Sequence, residues 1–207
     1  DGKLDVVTGN QGSGNVGVAN LTAAGGLRIM ATMGANVGPQ MFFLGFTQQG
    51  LRVDGGHEVM VHESWFGQFL YSDPRKENGT ATTSTAIQLN GNDHYITNTI
   101  VFSSNVGVEV NGAANVLTGV HTWNLARGRG GTGILLRSGT GGQTRLVGCY
   151  LDWNELVIED PNLVTVTNGF FLQSSAVQVR LVHSSTVNGL VITGNEFVGV
   201  VGDTVYV

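Results

Sequence analysis

Two acids three residues apart, Asp152 and Glu155, stand out in a chain in which only 12% of residues are charged. Breaking a glycosidic bond takes two carboxylates flanking it, about 5–5.5 Å apart for retention of configuration and about 6.5–9.5 Å for inversion. Asp152 follows a strand-like run at a position where neighbouring repeats carry aromatics, so a carboxylate there must be exposed, paired or functional. Glu155 is its candidate partner, and His121, one repeat earlier, is the alternative acid or base. Asn124, Arg127 and Arg129 follow on a Gly-rich segment. Because Arg grips carboxylates in a bidentate fashion, these are the candidates for binding acidic sugar units. Trp153 is a candidate sugar-stacking face, as are Trp65, Tyr71 and Trp123, although core packing is the commoner fate of such residues. Each candidate has a plainer reading: two solvated acids in a turn, loop arginines, and a His121 that points inward beside Ile100 and Tyr150.

His57, Glu58, His62 and Glu63 are metal-ligating types, but on one strand the odd spacing of the two histidines turns them to opposite faces, and no HExxH helix is available. No metal site is expected there. The acids require no cofactor, with calcium on Asp152, Glu155 or Asp160 as the alternative. Cys149 is the one cysteine and cannot close an internal disulfide, so it reads as a small buried apolar residue. Asn20-Leu-Thr and Asn78-Gly-Thr are acceptor triplets for glycosylation at Asn20 and Asn78, pointing towards secretion. A net charge of −5 and a pI near 5.4 argue against nucleic acid as a partner. No apolar run reaches the roughly 18 residues of a membrane span.

The elements that position these residues follow from a repeat. Short apolar strands separated by Gly/Asn-rich turns begin near Gln49, Thr85, Val106 and Thr132, with looser copies near Leu156 and Ala176. A chain that returns every twenty-odd residues can pair each strand with its equivalent one coil later, about 4.8 Å away. The expected fold is all-β, a right-handed parallel β-helix of about six or more coils. It forms a single domain over 1–207, read as the mature part or a fragment of a longer chain, with 72–84 as a protruding loop. A β-sandwich would show hairpin alternation in place of a coil-length repeat. Aligning the coils puts Ile96, Leu117, Leu146 and Val166 in one inward column, with Phe102, Trp123 and Phe171 near another. Asn90 with Asn111, and Asn98 with Asn168, form turn columns where Asn accepts left-handed backbone. Arg137 is expected to pair with Asp160. Open strand edges at the ends make end-to-end self-association an expectation.

From about Gly50 to Gly199 the chain resembles the quartet-type polygalacturonase-like proteins of the pectate lyase superfamily. The resemblance rests on GGHE at Gly55–Glu58, GND at Gly91–Asp93, VFS at Val101–Ser103, GVEVNGAAN at Gly107–Asn115 and GVH at Gly119–His121. It continues through GGTGI at Gly130–Ile134, QTR at Gln143–Arg145, YLD at Tyr150–Asp152 and EDP at Glu159–Pro161. It implies a right-handed β-helix and a secreted, wall-associated protein that hydrolyses or binds acidic polysaccharide such as pectin, with a lyase as a further option. The NTD, paired DD, GHG and RIK motifs of ordinary polygalacturonases are absent. A glycosidase and a non-catalytic structural or polysaccharide-binding β-helix therefore both remain open, and the portion before Gly50 matches poorly.

Overall fold

The structure, a computed structural model, describes residues 18–20, 26–30, 33–46, 48–67, 84–123, 131–137, 142–159, 161–172, 177–182, 188–199 and 205–206, the first and last of these as backbone alone. The described chain is a β-helix of three parallel sheets and contains no helix. Sheet A has eight described strands, from Val18–Asn20 and Phe42–Leu44 through Trp65–Gly67, Ile100–Phe102, His121–Trp123, Tyr150–Asp152 and Phe170–Leu172 to Glu196–Val198. Sheet B also has eight, from Leu27–Met30 and Gln49–His57 through Thr85–Asn92, Val106–Val110, Gly131–Leu136, Asn154–Ile158 and Val179–Leu181 to Val205–Tyr206. Sheet C has seven, from Asn36–Val37 and Met60–His62 through Tyr95–Thr97, Val116–Thr118, Arg145–Val147 and Thr165–Thr167 to Val191–Thr193. Every strand pairs with the strand three elements later in the chain, so each sheet lies parallel to the stacking axis.

Most strands in sheets A and C are three residues long, with only the central side chain turned inward. In sheet C the inward column runs Val37, Val61, Ile96, Leu117, Leu146, Val166 and Ile192. In sheet A it includes Phe43, Phe66, Val101, Thr122, Leu151 and Phe171, the rings of Phe43 and Phe66 stacking at 4.5 Å. Phe171 therefore does not share a column with Phe102 and Trp123. Those two pair with Asp152 and Leu172 in an outward column, one residue further along the strand. The expected aromatic column thus splits between the two faces. Sheet B contributes Leu51, Ile87, Val108, Ile134, Leu156 and Val179 to the same core.

The corner from sheet C to sheet A is two residues long, and its first residue is left-handed at every level from Glu63 through Asn98, Gly119, Gly148 and Asn168 to Gly194. Asn pays little for that conformation and Gly nothing. One coil after each Asn, glycine also has a steric cause: a Cβ at Gly119 would lie 2.6 Å from Asn98 Oδ1, and one at Gly194 would lie 2.7 Å from Asn168 Oδ1.

On the other side of the molecule a polar ladder ties the coils together. Asn111 Nδ2 donates to Asn90 Oδ1, and Asn90 Nδ2 to Asp54 Oδ1, both at 2.7 Å. Arg28 and Arg52 also donate to Asp54. Burial works to raise the Asp54 carboxyl, but these donors outweigh it and leave it below the usual carboxylate range. Arg137 pairs at 2.9 Å with Glu109 on the preceding coil and with Glu159 on the following one. Asp160, the expected partner of Arg137, lies outside the described residues.

Coils precede Gln49: Leu27–Met30, Asn36–Val37 and Phe42–Leu44 each stack in register on their equivalents. His57 closes a strand of sheet B and His62 one of sheet C, with a left-handed Glu58 between them, so they sit on different sheets and not on two faces of one strand. Among the described residues no group of three His, Cys, Asp or Glu side chains could hold a metal ion. Cys149 is free and buried, donates to the Leu117 carbonyl at 3.5 Å, and is pushed up to about 11 by burial, which keeps it an unreactive thiol at neutral pH. Of the loop expected over 72–84, only Ser84 is described, and it is fully buried.

Candidate functional site

Asp152 ends the sheet A strand Tyr150–Asp152, in which Leu151 faces the core and its two neighbours face outward. Trp153 then turns the chain from sheet A into sheet B through a single left-handed residue, φ 63°. Register places Trp123 before Asp152 and Leu172 after it, while His121 and Phe170 flank Tyr150. The outward face at this level therefore carries His121, Tyr150 and Asp152 together. The His121 and Tyr150 rings stack at 4.2 Å and 7°, and Tyr150 meets Phe170 edge-on at 5.1 Å.

Burial dominates the electrostatics of this cluster. It pushes the Asp152 carboxyl above the ordinary carboxylate range, against the opposing effects of the Tyr150 hydroxyl, the His121 charge and the Trp153 indole N–H. The same burial pulls the His121 imidazole below its ordinary value, with Asp152 opposing. Burial, reinforced by the Asp152 charge and hydrogen bond, raises the Tyr150 hydroxyl. Asp152 Oδ1 and His121 Nε2 are both buried atoms without a hydrogen-bond partner in the structure. A carboxyl that binds its proton more tightly than usual, beside an imidazole that binds its own less tightly, has the character of a proton donor to a leaving oxygen.

Glu155 stands apart from this cluster. It lies past the Trp153 corner on the strand Asn154–Ile158 of sheet B, between inward Asn154 and Leu156, and is ion-paired with Arg180 on the next coil. Its carboxyl is also raised, by burial first, with Arg180 opposing. His121 faces outward and not into the core, although its neighbours across the sheet are Ile100 and Tyr150 as the coil alignment required. Asn124, Arg127 and Arg129, between Trp123 and Gly131 in the chain, lie outside the described residues, and so does Asn78. Asn20 is the last residue of the strand Val18–Asn20.

This chain is 38% identical over 150 residues to the polygalacturonase QRT3 of Arabidopsis thaliana, an overlap of 72% of this chain and 31% of that protein. The chain belongs with the quartet-type polygalacturonase-like β-helix proteins. It spans under a third of the length of the relative it matches. No family model and no solved structure matches it.

In this quartet-type chain sequence reasoning missed Tyr150, which links His121 to Asp152, and Glu196, which follows Phe170 in the same outward column. Both carried a legible signal, since each sits at the column position of His121 one or more coils on. Among the described residues Asp152 and Glu196 are the carboxylates on the outward face of sheet A.

Proposed function

We propose that this chain is a secreted polygalacturonase-like hydrolase that binds pectin-type acidic polysaccharide along the outward face of sheet A and uses Asp152 as its general acid. The observation that carries the reading is the outward face that brings Asp152, Tyr150 and His121 together, where burial raises the Asp152 carboxyl and lowers the His121 imidazole, in a chain similar to a polygalacturonase. Tyr150 and Trp153 orient the carboxyl, Asn124, Arg127 and Arg129 take the acidic groups of the sugar chain, and no metal takes part. Glu155, paired with Arg180, serves that frame from the neighbouring sheet. Glu196, the other carboxylate on this face among the described residues, is the candidate base; it stands two coil spacings, about 10 Å, along the stack and two residues across from Asp152, too far for the close carboxylate pair of a retaining enzyme.

A second reading is supported by the commitment of Glu155 to Arg180, which leaves Asp152 without a close acidic partner among the described residues. On that reading the face binds polysaccharide and does not cut it. Incubation with polygalacturonate separates the two. New reducing ends without the ultraviolet absorbance of unsaturated uronates are expected; that absorbance would identify a lyase. Retention of the polymer with no products would establish the binding reading.

A further inference from the structure

Two polar side chains stand inside the apolar core at the level of Asp152. Thr122 sits in the inward column of sheet A, between Val101 and Leu151 on the adjoining coils. Its Oγ1 donates to Asn154 Oδ1 at 3.0 Å, and both residues are buried. Neither position demands a polar residue. The neighbours of Thr122 in its column are aliphatic, and Phe46, part of the core cluster, holds on an earlier coil the place that Asn154 holds just after the corner. A buried hydrogen-bonded pair adds little stability over apolar side chains of the same shape, so stability alone gives no account of this one.

Its place in the fold does. Thr122 lies between His121 and Trp123, which pair with Tyr150 and Asp152. Asn154 lies two residues past Asp152, on the far side of the Trp153 corner. The bond therefore spans from the strand that carries His121 to the chain leaving Asp152. Trp153 is a bulky residue in left-handed backbone, where the same corner of other coils has Gly45, Ser103 or Gly199, and such a residue keeps that conformation only when its surroundings impose it. On one side its N–H donates to the Leu172 carbonyl at 2.9 Å; on the other stands Asn154. A bulge gives the pair room. The register of Gly131–Leu136 on Asn154–Ile158 slips between Thr132 and Ile134, and a Cβ at Gly133 would lie 2.3 Å from Asn154 Oδ1 and 2.5 Å from Thr122 Oγ1. Bulges commonly re-aim a neighbouring side chain in this way.

We propose that Thr122 and Asn154 are positioning residues for Asp152: their buried hydrogen bond, seated against Gly133, holds the Trp153 corner and with it the direction of the Asp152 carboxyl beside His121. This rests on the reading of Asp152 as general acid and adds what aims it. Both side chains face inward and act through Asp152, not on the sugar.

The double variant Thr122→Val/Asn154→Leu tests the proposal, because removing both partners leaves no unpaired polar atom and fills similar space. It should melt within about 4 °C of the wild type. The Asp152 carboxyl, followed by carbon-13 NMR, should titrate lower than in the wild type, towards the ordinary carboxylate range, as the released corner lets it into water. On polygalacturonate kcat should fall by about 10–10²-fold with KM within about twofold, the pattern of misaimed chemistry. Thr122→Ser, which keeps the hydroxyl, should leave both readouts as in the wild type. If the double variant is not folded by circular dichroism, Thr122→Val alone is read in the same way. An Asp152 titration or a kcat unchanged in a folded variant overturns the proposal and leaves the hydrolase reading standing. A wild type that releases no reducing ends overturns that reading, and the titration then still decides whether the pair aims Asp152.

Discussion

Replacing Asn115 by Ala is expected to destabilise the protein by about 3–5 kcal/mol, because one fully buried amide holds three backbone groups at about 1–3 kcal/mol for each left unpaired. Its Nδ2 donates to the carbonyls of Gly112 at 2.9 Å and of Gly91, one coil earlier, at 3.2 Å. Its Oδ1 accepts the His94 N–H at 2.9 Å. The corner cannot close over the gap: a Cβ at Gly112 would already lie 1.7 Å from the Gly91 carbonyl oxygen, so the two coils touch backbone to backbone. In a chain of this length the loss corresponds to a fall in melting temperature of roughly 10 °C. Asn115→Asp should not rescue it, since a carboxylate oxygen would then face two carbonyls. Thermal denaturation followed by circular dichroism measures the effect, and a loss below about 1 kcal/mol would show that the amide does not hold this corner.

For Asp152→Asn the expected loss is in turnover on pectin-type substrate, by about 10²–10⁴-fold, the usual contribution of a general acid. The same substitution should leave the fold no less stable at neutral pH. A carboxyl raised in the folded state adds stability that is fully present below its unfolded pKa and is lost as pH rises through the folded value. Asn, which does not ionise, escapes that loss, so the variant should match the wild type in acid and equal or exceed it at neutral pH. The alkaline limb of the wild-type pH–rate profile should disappear from any residual activity of the variant. Lower stability of the variant at neutral pH would mean that the ionised Asp152 is held by partners and not disfavoured by burial.

The stacking was legible because it leaves a period in the sequence. The sheet B strands begin at Gln49, Thr85 and Val106, where the repeat placed them, and at Gly131, Asn154 and Val179, within a few residues of the expected starts. The inward column through Ile96, Leu117, Leu146 and Val166, and the Asn90–Asn111 ladder, follow from the same alignment. Phe171 was misplaced because Phe170-Phe171-Leu172 offers an apolar residue at every position, and a slip of one residue exchanges the two faces. The coils before Gln49 lack strong Asn and Gly columns, so their register emerges only from the pairing itself.

The site was less legible than the frame. Asp152 and His121 came together because both follow from coil register. Glu155 was separated from Asp152 by one left-handed residue, Trp153, and spacing along a chain does not reveal a corner that short.

The most direct test is a crystal structure of Asp152→Asn with a bound galacturonate oligomer. The sugar chain should lie on sheet A, with a glycosidic oxygen within hydrogen-bond reach of the amide that replaces the Asp152 carboxyl and with Tyr150 and Trp123 beside it. An oligomer seated on sheet B or sheet C, with the Tyr150–Asp152 strand bare, would contradict the account.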